Sequence, residues 1–242
     1  MSRSSFPSTT PPPPPRRIPF TRSPIRIDTR NVTAEEKQLF EGATPLGKDI
    51  FTDPNKPHIT GISPPQELES LDYVDFGPRL NRNIRLANYK ILTPVQRLAL
   101  PVVLSGRDII VSTQTGSGKT ATFLLPILYY ASLTGNNGGK TVLPNRSVIV
   151  SPVALIIVPT HELCIQTLDE FKRFAYQTGI IVTAVYGGQY VRYQVQSLMK
   201  NGADVLVATP GRLHDLSQRG VLDFHVWVFF AWMMLIVLLI PV

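Results

Sequence analysis

The stretch Asp108-Ile109-Ile110-Val111-Ser112-Thr113-Gln114-Thr115-Gly116-Ser117-Gly118-Lys119-Thr120 decides how the rest of the chain is read. Ile109 to Val111 form a short β-branched run of the kind that makes a buried parallel strand. A tight turn must follow. Gly116 and Gly118 admit backbone angles closed to other residues, so successive N–H groups can converge on an anion at the start of the next helix. Strand, glycine loop and helix, joined at Lys119-Thr120, match the phosphate-loop pattern G-x-x-x-x-G-K-[ST] except at its first position, where Thr113 stands for Gly. In such a loop Lys119 reaches the outer phosphates of a nucleoside triphosphate and the Thr120 hydroxyl holds Mg2+.

Downstream the chain alternates. Ala121 to Tyr130 is a predicted amphipathic helix, followed by a Gly/Asn-rich surface connection over Thr134 to Lys140. Ala154 to Val158 reads as a second strand, ending at Pro159-Thr160-His161-Glu162-Leu163-Cys164, and a helix runs from Glu162 to about Gln177. Ile180 to Tyr186 is a third strand, ending at Gly187-Gly188, with a helix from Val191 to Lys200 behind it. Asp204 to Ala208 is a fourth, ending at Thr209-Pro210-Gly211-Arg212. This order predicts an α/β fold, a doubly wound parallel sheet with right-handed crossovers. Loops at the carboxyl ends of such strands share one edge of the sheet. The three strand-end loops are therefore expected to gather beside the phosphate loop, offering small residues and backbone N–H groups to a phosphodiester chain without reading its bases.

Upstream, Pro94 suits a helix start with Thr93 as N-cap, and Gln96 on that first turn can pair bidentately with adenine. Leu80, Ile84, Leu86 and Ala87 give a weak helical stripe before Tyr89. Residues 1 to about 65 hold thirteen of the twenty-two prolines, including Pro11 to Pro15, and read as a disordered arm. Within it Thr33 to Phe40 carries a capping-box start and a short helix. The net charge is +7, and the first thirty residues hold six Arg against one Asp, a balance suited to a polyanionic or protein partner of the arm. Cys164 is the only cysteine, so no intrachain disulfide forms. No signal peptide opens the chain, because Arg and Pro replace the apolar segment one needs.

Taken together, Thr93-Pro94-Val95-Gln96, the loop Gln114 to Thr120, Pro159-Thr160-His161-Glu162-Leu163, Gly187-Gly188 and Thr209-Pro210-Gly211-Arg212 resemble the first RecA-like domain of a DEAD-box RNA helicase, closest in spelling to the Vasa and Ded/Belle type. The resemblance covers roughly residues 70 to 220. It divides the chain into the arm (1–65), a Q-motif region (69–97), a truncated RecA-like, P-loop domain (98–223) and an apolar tail (224–242). It implies ATP and Mg2+ as cofactors. Tyr89 and Gln96 would recognise adenine; Gln114, Thr115, Gly116, Ser117, Gly118, Lys119 and Thr120 would bind ATP. Pro159, Thr160, His161, Glu162, Gly187, Gly188, Thr209, Pro210, Gly211 and Arg212 would grip single-stranded or short duplex RNA. A cytoplasmic protein is implied, with the nucleus or ribonucleoprotein granules as alternatives. The chain departs from the pattern at Leu71, where an aromatic residue stacks on adenine in the family, at Asn88, Leu92 and Thr113, and at His161, which replaces a permanent guanidinium by an imidazole.

The tail departs most. Some two dozen residues after Thr209 the family carries Asp-Glu-Ala-Asp, whose carboxylates hold Mg2+ and position the attacking water. This chain reads Val226-Trp227-Val228-Phe229-Phe230-Ala231-Trp232-Met233-Met234-Leu235-Ile236-Val237, with no Asp or Glu after Asp223. No complete catalytic set is expected, and ATP turnover should be negligible. Trp and Met have single codons, so Ala231 to Leu235 can be written GCN TGG ATG ATG CTN. Read two bases later this gives Leu, Met or Val followed by Asp-Asp-Ala, so a shifted frame is one reading of the tail. A membrane anchor is the less favoured alternative, since Phe224 to Val242 carries no Lys, Arg, Asp or Glu. A non-catalytic RNA- or partner-binding module and a non-functional truncation are the other readings.

Overall fold

A computed structural model describes residues 20–25, 27, 31–41, 57–89, 91–112, 118–134, 138–143, 148–224, 229–233 and 236–239. Among them a six-stranded sheet forms the centre, in the order β1-β8-β7-β4-β6-β5. Its members are β1 (Ile109–Val111), β4 (Ala154–Ile157), β5 (Val182–Val185), β6 (Val205–Ala208), β7 (Phe229–Met233) and β8 (Ile236–Leu239). β4, β6, β5 and β7 pair in parallel. β8 alone is reversed, antiparallel to both β7 and β1. The expected α/β sheet is therefore present, with one inverted strand inside it. A separate two-stranded sheet, β2 (Lys140–Val142) with β3 (Val148–Val150), was not expected from the sequence; β2 is exposed throughout and carries no apolar alternation.

Period-two side-chain alternation sends each strand to two cores. Ala154 and Ile156, Val205 and Val207, with Val111 and Ala231, join the core containing Phe123, Leu124, Leu128, Phe171 and Phe174. These last belong to α4 (Lys119–Thr134) and α5 (His161–Ala175). Leu155, Leu206, Ala208 and Val185 face the other way, against Leu198 of α6 (Val191–Asn201) and Leu216 of α7 (Pro210–Gln218). Helices thus cover both faces, as a doubly wound fold requires. Each fully buried Leu, Ile or Phe contributes about 1.5–3 kcal/mol over exposure. Asp204, 2% exposed, ties the sheet's amino edge by accepting from Gly138 N–H (2.9 Å) and Ile181 N–H (2.7 Å). Burial raises its pKa, and those two donors oppose the rise.

Two parts of the chain depart from their sequence-based reading. The described tail residues 229–233 and 236–239 are sheet: β7 pairs residue by residue with β4, Ile156 opposite Ala231, and β8 joins it to β1. A charge-free run of that length has no periodicity to separate strand from helix, which is why its pattern alone was silent. Among the described residues no helix is long and apolar enough to cross a membrane.

The described arm residues also pack on the domain rather than standing off it. Phe20 bridges Val74, and Thr21 and Ile25 donate to the Tyr73 and Asp72 carbonyls at 2.9 and 2.8 Å. Thr33 and Glu36 form the expected capping box of α1 (Ala34–Phe40). Glu36 is buried against Arg82 of α2 (Pro78–Leu86), which reaches its two carboxylate oxygens at 3.0 Å each and the Asn31 carbonyl at 2.7 Å. Proline content predicted disorder, but one buried ion pair and Phe40 in the core fix this segment.

The Arg82 guanidinium and the Thr33 N–H hold the Glu36 carboxyl far down, at about 2 against an ordinary 4.5. A depressed carboxyl contributes stability that is complete above its unfolded pKa and lost as pH falls through the folded one. The docking of α1 is therefore expected to weaken between pH 4.5 and 2. Amide exchange at residues 35–40 should accelerate there before α5 does, and Glu36→Gln should show that acceleration already at neutral pH. Equal acceleration of α1 and α5 would contradict this.

Candidate nucleotide and nucleic-acid site

β1 delivers the chain to the phosphate loop, and α4 begins at Lys119 directly beyond it. Gln114, Thr115, Gly116 and Ser117 lie outside the described residues. Gly118 is described and takes φ +81°, a left-handed angle that strains any other residue. A Cβ there would meet Gln96 Nε2 at 2.6 Å, so any side chain would have to displace the Gln96 amide. Lys119 and Thr120 follow, both half-buried on the first turn of α4. Burial lowers the Lys119 pKa.

Gln96 sits on the first turn of α3 (Pro94–Leu104) and is 0% exposed. Thr93 N–H donates to its Oε1 (3.0 Å), its own N–H donates to Thr93 Oγ1 (3.3 Å), and its Nε2 donates to the Gly118 carbonyl (2.8 Å). The predicted cap is present, and the amide also reaches the end of the phosphate loop at Gly118. Beyond these bonds it keeps a second N–H and a second lone pair, the two groups a base edge would use.

Tyr89 is turned into the seam between α2 and α5, edge-to-face on Phe174 with centroids 5.4 Å apart. Burial, and then the Glu170 charge, push its hydroxyl pKa up. Its ring lines a pocket with Leu71, Ile84, Arg85 and the arm residues Ile25 and Ile27. The wall is aliphatic at Leu71, where an aromatic residue was expected. Phe76 is occupied elsewhere, buried edge-to-face on Tyr129. Asn88 takes φ +58°, a turn that Asn tolerates and that ends α2.

At the carboxyl edge of the sheet the three expected loops do meet. Thr160 caps α5 by accepting from Leu163 N–H (3.3 Å). The next residue, His161, stacks on Tyr186 at the end of β5 (5.8 Å, 22°) and lies with Nδ1 2.8 Å from Glu162 Oε1. Tyr186 leads into Gly187-Gly188, and its hydroxyl accepts from Gln189 Nε2 (3.0 Å). Thr209 N–H donates to the Val185 carbonyl (3.0 Å), bringing Pro210 and Gly211 alongside. Pro159, Thr160, His161, Glu162, Gly187, Gly188, Pro210 and Gly211 are all exposed. A Cβ built on Gly187, Gly188 or Gly211 would meet no atom within 4 Å, so the bare backbone stands open to close approach.

Arg212 is a strut. It donates to Gln194 Oε1 (2.7 Å) and the Gln189 carbonyl (2.8 Å), locking the Gly187-Gly188 loop to the start of α7. Gln194, itself bonded to the Tyr186 carbonyl at 3.0 Å, is buried and completes the lock. Neither glutamine was singled out from sequence, because a partner eighteen residues or more away leaves no local pattern. Cys164 is buried beneath this edge, Sγ 3.6 Å from the Val207 carbonyl, and burial pushes its thiol up to about 12. Among the described residues no group of His, Cys, Asp and Glu could hold a metal ion. Thr120 carries its hydroxyl on the first turn of α4, and the sequence has no Asp or Glu beyond Asp223.

A parallel sheet with helices on both faces, a glycine loop entering a helix at Lys-Thr, and open loops along one carboxyl edge define a RecA-like nucleotide-binding domain. A sequence profile of the DEAD/DEAH box helicase family matches residues 93–229, more than half of the chain. The chain belongs to the DEAD/DEAH box helicase family. Among solved structures it is similar to the RNA helicase Prp28 from Chaetomium thermophilum bound to ADP (36% identity, TM-score 0.60), covering 71% of this chain and 40% of that one. The yeast DEAD-box splicing factor Prp28 matches at 29% identity and TM-score 0.62, over 72% and 39%. A hypothetical ATP-dependent RNA helicase from Sulfolobus tokodaii matches at 30% and 0.52, over 64% and 40%. The chain spans about two fifths of the length of these helicases.

Proposed function

We propose that this chain is the nucleotide-loop half of an ATP-dependent RNA helicase, of Vasa- and Belle-like spelling, that holds RNA along its carboxyl sheet edge and turns over little or no ATP. The observation that carries the reading is the convergence of three exposed loops at the carboxyl ends of β4, β5 and β6, two of them with bare glycine backbone. Such an edge suits phosphate oxygens approached by backbone N–H groups. The Prp28 structure bound to ADP supports a nucleotide at the phosphate loop, where Lys119 and Thr120 would meet it. Mg2+ would find Thr120 but no acidic partner, so no hydrolytic step is assigned to these residues.

Gly187→Glu tests the RNA track without disturbing the fold, since its φ is ordinary and its Cβ has open space. Affinity for a single-stranded oligouridine, read by fluorescence anisotropy, is expected to fall about tenfold or more through the added carboxylate at a phosphate contact, with an unchanged melting temperature. Phosphate release in the presence of that RNA should not exceed that of Lys119→Ala. Unchanged RNA affinity would remove the track, and RNA-stimulated release above the Lys119→Ala control would remove the claim of negligible turnover.

The shifted-frame reading of the tail draws support from the place of β7. It lies parallel beside β4 and ends at the edge where the missing carboxylates would stand. The nucleotide sequence across codons 220 to 242 decides it: an intact Asp-Asp-Ala or Asp-Glu-Ala frame is expected to overlap these codons.

A further inference from the structure

The first turn of α6 breaks a local rule. Its N-cap position, normally Ser, Thr, Asp or Asn, is Tyr190, which makes no side-chain cap bond. Tyr190 is 79% exposed and Tyr193 66%, higher than the other exposed Phe and Tyr residues, Phe20 at 55% and Tyr73 at 36%. The two rings stand edge-to-face, centroids 6.0 Å apart at 81°, so they hold each other upright with little need of the core. Arg192 is exposed between them in sequence. This group follows Gly187-Gly188 directly, and the loop is anchored at Gln189 by Arg212 and Tyr186.

Neither ring joins either hydrophobic core, so the pair is open to a ligand. Tyr190 at the N-cap and Tyr193 on the first turn present their rings together, and Arg192 next to them in sequence adds charge complementary to an anion. Aromatic faces with a neighbouring cation, continuous with a backbone-binding loop, are the composition of a single-strand nucleic-acid platform. The direct continuity of this group with the Gly187-Gly188 loop favours a nucleic-acid strand over a protein partner.

We propose that Tyr190 and Tyr193, assisted by Arg192, stack on unpaired bases of the RNA strand as it passes Gly187-Gly188, giving this chain a base-dependent grip beside its backbone-dependent one. This rests on the RNA track proposed above. The loops hold the sugar-phosphate chain, and the tyrosine pair favours nucleotides whose bases are free of a duplex.

The test compares the full chain, its Tyr190→Ala/Tyr193→Ala variant and its Tyr190→Phe/Tyr193→Phe variant. Each is titrated against a fluorescein-labelled oligouridine and a strand of equal length that is abasic at every position. The wild type is expected to bind oligouridine about tenfold or more tighter than the abasic strand. The alanine pair should lose that advantage while keeping abasic affinity, and the phenylalanine pair should retain it. Equal binding of both strands by the wild type overturns the platform but leaves the track. An advantage untouched by the alanine pair places base recognition elsewhere and also overturns it, as would be expected if the tyrosines served a protein partner. Failure to bind either strand overturns the track and the platform together.

Discussion

Replacing Ala231 by Asp is expected to unfold the domain. Ala231 is 0% exposed in the middle of β7, opposite Ile156 on one side and Leu238 on the other, and belongs to the larger core. An aspartate there is either ionised without a partner or protonated without a hydrogen bond, and each costs several kcal/mol. That is a large share of the roughly 5–15 kcal/mol by which domains are stable. The variant should lose its cooperative thermal transition by circular dichroism and partition into the insoluble fraction. Ile110→Asp is the contrast, because Ile110 is 71% exposed on β1 and its loss should move the melting temperature by only a few degrees. A tail that is a mere appendage predicts the opposite for Ala231→Asp: a melting temperature near wild type and better solubility.

Gln96→Ala should cost about 2–4 kcal/mol, leaving the buried Thr93 N–H without its acceptor and the Gly118 carbonyl without its donor. Gln96→Glu keeps an oxygen for Thr93 N–H but turns a second oxygen toward the Gly118 carbonyl, where two acceptors repel, and is expected to be no better. Both should lower the melting temperature in the absence of nucleotide. A residue whose whole role is to read adenine would leave that temperature unchanged and alter only the affinity for a fluorescent ATP analogue against its guanine counterpart. Titrating both analogues alongside the melts separates the two roles.

Much of the fold was legible because local signals agreed with one another. The β-branched runs at Ile109, Ala154 and Val205 became strands, and the helices at Ala121, Glu162 and Val191 formed within a few residues of their expected limits. Both capping boxes, Thr33 with Glu36 and Thr93 with Gln96, are present in the structure. The shared loop edge followed from topology alone. What pattern could not supply were pairings between distant residues. Arg212 is held by Gln194 and the Gln189 carbonyl, and Gln96 reaches the Gly118 carbonyl, contacts that no local pattern announced. A side chain's chemistry is written in its identity, but the direction in which it points is set by whatever packs against it.

The strand order has a consequence for how the protein is made. β1 has a single neighbour in the sheet, β8, and β8 and β7 stand between it and β4. During synthesis β4, β5 and β6 can assemble as they emerge, while β1 must wait for two strands translated long after it. Until then the strand that carries the phosphate loop has no ladder to join, and its exposed backbone edge is open to other chains. The strand that leads to the phosphate loop is thus among the last members of the sheet to find its ladder.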